Sequence, residues 1–256
     1  MAHVTVKGLV IRETDFGEAD RFITVLTAEL GKIEVLCRGL RRKKGRLANA
    51  AGLFCYSEFT LFSGKRYMLN DAEIDTQFWG ITSNIEHYAL CCYFAELAGM
   101  AADADTNGTS ELLAMFLRAL YALDRQRRPV QTVKAAFELR LASQLGFLPD
   151  LTGCAVCGTA ETGAWSFLLE NGALVCADCR KRVGGTYFDV APGVLSAMRY
   201  IVSCEGKKLF AFAVNEQTAA QLGMICERYL LYHLEVHCPT LDFYHSLFSD
   251  TTSNTT

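Results

Sequence analysis

No stretch of the 256 residues holds the roughly 20 consecutive apolar positions that a membrane helix needs. There is no G-x-x-x-x-G-K-[ST] loop, no strand-associated G-x-G-x-x-G and no G-x-S-x-G elbow, so the common phosphate-binding, dinucleotide-binding and hydrolase signatures are missing. Spacing singles out no nucleophile–base pair, and no internal repeat or low-complexity core segment is present. The N-terminal "MAHVTVKGLVIRETDF" shows alternation and early charges in place of an apolar signal core, which predicts a cytoplasmic protein. These absences point away from membrane proteins and familiar enzyme classes. With 51% hydrophobic and 21% charged residues, the composition is that of a soluble globular chain long enough for two domains.

Eleven cysteines would suit a disulfide scaffold, but the number is odd and the chain is large. Without an export signal, most are expected as reduced thiols in helical cores, where cysteine behaves as a small hydrophobe.

A net charge of −3 conceals an asymmetry. Residues 1–80 carry 12 Lys/Arg against 10 Asp/Glu, and the remainder carries 13 against 18. Six of those first cations fall within 38–46, "RGLRRKKGR". A mildly acidic chain therefore still carries a local positive segment of the kind that meets a polyanion.

Periodicity changes once along the chain. "HVTVKGLVIR", "RFITVLT", "KIEVLCR", "YSEFTLF" and "RYMLNDAEI" read as five short strands separated by Gly and Ser turns. Five strands in that span predict a small barrel, with an OB-fold and an SH3-like barrel fitting equally well. From residue 83 the spacing becomes helical. Ser83 and Glu86 suit a capping box, and further helices are expected around Leu113–Leu120, Val133–Leu145, Val194–Val202 and Leu222–Tyr229. The expected domains are a barrel over 1–80, a helical domain over 81–150 and 185–248 interrupted by a cysteine module at 151–184, and a disordered tail at 249–256. The fold class is α+β, multidomain.

Within the module, Cys154-x-x-Cys157 and Cys176-x-x-Cys179 flank apolar runs joined by Asn171-Gly172. Asn-Gly favours a two-residue type I′ hairpin. A hairpin with two such knuckles is the zinc-ribbon arrangement, four thiolates closing a tetrahedral site with no open position. A redox C-x-x-C would open a helix in a βαβ unit, and neither pair does. One structural Zn2+ is expected.

The run Arg38, Arg41, Arg42, Lys43, Lys44 and Arg46 joins two predicted strands. It reads either as a solvated loop or as a phosphate-binding one, with Phe54, Tyr56, Phe59 and Tyr67 as neighbouring aromatics. Asp15, Glu18 and Asp20 border a strand start and read as turn residues rather than a catalytic cation site. His233/His237 and His87/Cys91 have i, i+4 spacing but no third and fourth ligand, which favours helix-face or core roles.

"KGLVIRETDFGEADRFITVLTAELGKIEVLCRGLRRKKGRL", "FELRLASQLGFLPDLTGCAVCG", "LVCADC" and "RYLLYHLEVHCPTLDFYHSL" together resemble the RecO family of bacterial recombination mediators. The resemblance spans nearly the whole chain in order. It departs at Gly45, where a serine is frequent, and at "ENGALVC", where a glycine pair is usual. It implies an N-terminal OB-fold, a helical C-terminal domain with an embedded zinc ribbon, and a nucleoid-associated, non-enzymatic protein. It also implies binding of single- and double-stranded DNA, strand annealing, and loading of RecA with RecR onto DNA coated by SSB. No small-molecule substrate or membrane is implied. For the acidic SSB tail, Arg125, Arg127, Arg128, Lys134 and Arg140 in or beside the third helix are the candidate cations.

Overall fold

The computed structural model describes residues 2–42, 44–104 and 108–249. They fall into two compact units, the first made of the described residues within 1–126 and 238–249 and the second of 127–237.

The first unit opens with β1 (Ala2–Phe16), β2 (Asp20–Thr27) and β3 (Lys32–Cys37), then a single 3-10 turn and α1 (Arg46–Ala50). It continues through β4 (Cys55–Ser63), β5 (Tyr67–Gln77), α2 (Trp79–Thr82), α3 (Ile85–Ala104) and α4 (Thr109–Asp124). The strands close into a barrel in the order β1-β2-β3-β5-β4, antiparallel except for the β3–β5 pair. Closure removes the sheet edges that would otherwise template aggregation.

Fifteen-residue β1 makes closure feasible, because its first half pairs with β4 and its second half with β2. A bulge between Val10 and Arg12 bends it. At the crossover, a Cβ on Gly8 would lie 2.4 Å from Val25 Cγ1 and 2.8 Å from the Leu26 carbonyl oxygen, so only glycine fits. Alternate residues fill the interior, with Val6, Ile23, Val25, Ile33, Val35, Phe59 and Leu61 all buried.

Helix α3 is capped by Asn84, whose Oδ1 accepts the His87 N–H at 3.0 Å. Ser83, the residue expected to cap it, instead ends α2.

In the second unit come α5 (Val130–Gln144), β6 (Asp150–Cys154), β7 (Trp165–Leu168), β8 (Ala173–Cys176), α6 (Ala177–Arg180), β9 (Tyr187–Val190), α7 (Pro192–Ser203) and α8 (Glu216–Leu234). α9 (Pro239–Ser249) then returns the chain to the first unit, where Glu96 Oε2 of α3 accepts the Thr240 N–H at 3.2 Å. Helix α5 is buried almost all round from Thr132 to Ala142, the mark of a central helix. The small sheet runs β6-β8-β7-β9. Strand β9 extends the expected hairpin to a fourth strand.

The turn between β7 and β8 differs from the expected type I′. Leu168 pairs with Ala173, leaving a four-residue turn in which Gly172 has φ +60 and Asn171 has no positive φ. Tyr229 lies beneath this turn, and a Cβ on Gly172 would sit 2.2 Å from its hydroxyl, so the position requires glycine. Tyr229 pins the ribbon to α8, its ring 5.2 Å from Phe167 edge-on and its hydroxyl donating to the Phe147 carbonyl at 3.1 Å. The predicted tail at 249–256 lies outside the described residues apart from Ser249, which closes α9. No described helix is long and apolar enough to cross a membrane.

Candidate functional site

Two sites emerge, one in each unit. In the first, the segment after β3 turns on Gly39 (φ +65) and is sewn to the β1–β2 hairpin. Asp20 Oδ1 accepts the Gly39 N–H at 2.7 Å, and the Arg41 N–H donates to the Ala19 carbonyl at 3.0 Å. Leu40, 4% exposed, plugs into the barrel core, so the flanking basic side chains point outward.

Each cation of the run has a distinct setting. Arg38 is exposed and, among the described residues, makes no ion pair. Arg41 donates from Nη1 to the Gly17 carbonyl at 3.0 Å and places Nε 3.3 Å from Asp15. Arg42 lies 3.5 Å from Glu18. Lys43 lies outside the described residues. Lys44 is exposed without a described ion pair. Arg46 opens α1 behind Gly45, whose φ of +112 suits glycine, and contacts Asp71 at 3.2 Å and Glu73 at 3.9 Å.

The run is therefore not an unopposed positive patch. Arg41, Arg42 and Arg46 meet carboxylates from the hairpin and from β5, and the trio Asp15, Glu18 and Asp20 is occupied by Arg41, Arg42 and the Gly39 N–H. Arg42 and Arg46 are 71% and 60% exposed, however, and Glu18 is 92% exposed. Pairs in such close touch with water contribute at most about 1 kcal/mol each. A polyanion can displace those carboxylates at small cost.

The aromatics expected beside the run divide. Phe54 and Phe59 are core residues at 2% and 0% exposure, and Phe54 packs edge-on against Tyr88 and Phe116. Tyr67 packs half-buried on the barrel core. Phe16, which was not counted among those aromatics, stands 54% exposed at the hairpin tip.

In the second unit, the Sγ atoms of Cys154, Cys157, Cys176 and Cys179 all lie within 4.8 Å of one another. Cys157 and Cys176 Sγ are 3.8 Å apart. A tetrahedron with bonds of about 2.3 Å has edges of about 3.8 Å, so the cage fits Zn2+. Burial opposes ionisation of the Cys154 thiol, but backbone N–H groups of Cys176, Cys157 and Val156 point at its sulfur and bring its pKa down to about 6. Burial and hydrogen bonds with the other three cysteines hold the Cys179 proton, pushing it up to about 12 until a cation replaces it. Three of the four ligands are buried and the set is closed, which suits a cross-link rather than catalysis. Among the described residues this is the only cluster of three or more such ligands.

The cations expected for an acidic tail are divided between the two units. Arg125 belongs to the first unit, pairing with Asp124 at 2.7 Å, while Arg127, Arg128, Lys134 and Arg140 belong to the second. Arg127 is exposed and Arg128 half-buried at the turn into α5. Lys134 is buried, its Nζ 2.6 Å from both Glu138 and Glu227. Burial opposes its charge, yet those two carboxylates prevail and raise its pKa. Arg140 closes the C-terminus of α7 through the Ile201 and Cys204 carbonyls at 2.5 and 2.7 Å. Lys134 and Arg140 are thus corrected from surface contacts to internal ties. Glu138, four residues after Lys134 and so on the same face of α5, was the available signal.

Other spacing-based ligand pairs also dissolve. Glu235 in the left-handed region ends α8, so His237 does not share a helix with His233. The His233 ring stacks on Phe147 at 4.7 Å. Cys91 beside His87 is wholly buried.

Comparison with known proteins places this geometry. The family model "Recombination protein O N terminal" matches residues 1–78, and "Recombination protein O C terminal" matches 82–242. "DNA repair protein RecO" of Acetivibrio thermocellus is 34% identical, with 96% of this chain and 98% of that protein covered. The proteins of the same name from Symbiobacterium thermophilum and Alkaliphilus metalliredigens are 28% and 27% identical, covering 97% and 91% of this chain and 99% and 94% of theirs. Barrel, helical part and cysteine cluster together lie within the two matched regions or the stretch of relatives that spans them, and the chain belongs to the RecO family of DNA repair proteins.

Proposed function

We propose that the chain is a non-enzymatic recombination mediator that binds DNA through the 38–46 segment and anneals complementary strands. The observation carrying this reading is the exposed basic segment, anchored on the barrel by Gly39, Leu40 and Arg41 and neutralised only by displaceable carboxylates. The closed barrel, with its parallel β3–β5 pairing, is read as an OB-fold, an architecture that binds oligonucleotides on its strand face and loops.

The physics of annealing follows from charge. Two strands repel through their phosphates, so a protein that neutralises several of them lowers the cost of approach, and base pairing then supplies the free energy. No nucleotide need be hydrolysed. The four cysteines would hold Zn2+ as a cross-link that fixes the ribbon against α8, leaving DNA binding to the first unit.

Family membership supports RecR and SSB as partners, and loading of RecA onto SSB-coated single strands as the outcome. The exposed Arg125 and Arg127 remain candidates for the SSB tail, whereas the side chains of Lys134 and Arg140 are committed internally. The test is annealing of two complementary oligonucleotides with no nucleotide added. The reading requires wild type to accelerate duplex formation and the Arg41/Arg42/Lys43/Lys44→Ala variant to do so far less; equal acceleration by both contradicts it.

A further inference from the structure

The outer face of the barrel carries a row of apolar side chains. Cross-strand register sets Phe22 beside Leu36, Leu36 beside Met68, and Met68 beside Phe62, across β2, β3, β5 and β4. These residues point outward, since their sequence neighbours Ile23, Val35 and Leu61 fill the core. Where α3 and α4 pack on β1 and β2, outward-facing Leu9 and Leu26 are fully buried. The Phe22 row is only half-buried. At its end Phe16 projects from the hairpin, its ring 5.1 Å from Phe22 and edge-on.

Cations frame this row. The Arg66 guanidinium, from the β4–β5 turn, lies 5.9 Å from the centre of the Phe22 ring. Arg38 follows β3 in the same outward register as Leu36. Among the described residues neither makes an ion pair. The row is also continuous with the basic segment, because Arg41 donates to the carbonyl of Gly17, the residue after Phe16.

We infer that Phe16 and Phe22 form the stacking platform for unpaired bases of single-stranded nucleic acid, with Arg38 and Arg66 meeting the flanking phosphates. Aromatic faces accept any base, and interleaved cations track the backbone, which is the chemistry of sequence-tolerant single-strand binding. The inference rests on the reading that the 38–46 segment binds DNA, and it assigns the single-strand component to the aromatic rings of Phe16 and Phe22 beside that segment. Stacking requires a free base face, so the platform discriminates single strands from duplex, whereas the basic segment serves both.

The test compares wild type and Phe16→Ala binding to a labelled oligothymidylate, an abasic oligonucleotide of the same length, and a duplex. Removal of one stacking ring weakens oligothymidylate binding by about 5- to 150-fold. Abasic and duplex binding, and the dependence on salt, stay as in wild type. Phe16→Trp retains affinity, and its added indole emission, read as a difference from wild type, is quenched on binding. Unchanged oligothymidylate affinity in Phe16→Ala overturns the inference and leaves the row to a protein partner. Equal weakening on all three ligands also overturns it, since the ring then acts through the fold. If wild type binds none of the three, the DNA-binding reading itself fails and the platform falls with it.

Discussion

Arg41 reaches back to the hairpin that precedes it by two strands, its Nε 3.3 Å from Asp15. The same guanidinium bonds the Gly17 carbonyl at 3.0 Å, so one side chain both anchors the basic segment and shares its charge with an acid. Neighbouring Arg42 stands in a looser version of this relationship with Glu18, at 3.5 Å and far more exposed.

This arrangement predicts that Glu18 competes with phosphate. Glu18→Gln should tighten single-strand binding by up to about 5-fold at low salt, the scale of one exposed pair, with the gain fading as salt screens it. The unfolding midpoint should not move. Anisotropy titrations at two salt concentrations check this; weaker binding would mean that Glu18 orients Arg42 instead.

Lys134 gives a stability prediction. Lys134→Met leaves Glu138 and Glu227 without their cation in the core of the second unit and should cost about 3–5 kcal/mol. A drop of about 10 °C in the thermal midpoint is expected. Lys134→Met combined with Glu138→Leu and Glu227→Gln should recover most of that stability, since no buried carboxylate is then left unpaired. A stable Lys134→Met protein would return this residue to the surface role that the sequence suggested.

Alkaline pH should destabilise the fold. Burial pushes the Cys37 thiol up to about 12, with Arg21 opposing in part, and Cys55 up to about 11. Burial likewise holds Cys91 and Cys226 well above their ordinary value. The folded state thus keeps protons that the unfolded state releases near pH 9. The stabilising contribution is complete below that value and is lost as pH rises toward 12, by about 1.4 kcal/mol per pH unit for each thiol. Melts at constant zinc should be flat from about pH 7 to 8.5 and fall beyond about 9. A midpoint that holds to about pH 10.5 would contradict the burial of these thiols.

Zinc removal should separate the two units functionally. One equivalent of Zn2+ per chain is expected, released by thiol modification, and Cys176→Ser should lower the stability of the second unit. Oligonucleotide binding by the first unit should persist with its salt dependence intact. Identical melts with and without chelator would remove the cross-link from the account.

Much of this was legible in the sequence, for physical reasons. Alternation in "KIEVLC" marks a strand because one face must enter the core, and two C-x-x-C pairs announce a cage because thiolates at that spacing converge. A small barrel was legible from its five short strands, but the way it closes was not, since that depends on Gly8 admitting Val25 and on β1 serving two partners. Nor was the neutralisation of Arg41 and Arg42, whose acids lie 24 to 26 positions away in sequence and meet them only once the hairpin forms. Lys134 misled because a lysine on a helix is ordinarily solvated; Glu138 at i+4 was the local signal, and Glu227 joins it only in the folded unit. Phe16 was overlooked because a single aromatic at a strand end carries no periodic signal.

In the proposed function, the 38–46 segment holds nucleic acid through its phosphates. This is tested most directly by titrating single-stranded oligonucleotide binding against salt for wild type and for the Arg41/Arg42/Lys43/Lys44→Ala variant. The variant should bind more weakly, with a log–log slope shallower by up to about 3, at about 0.7 for each phosphate no longer neutralised. An affinity and slope equal to those of wild type would contradict it.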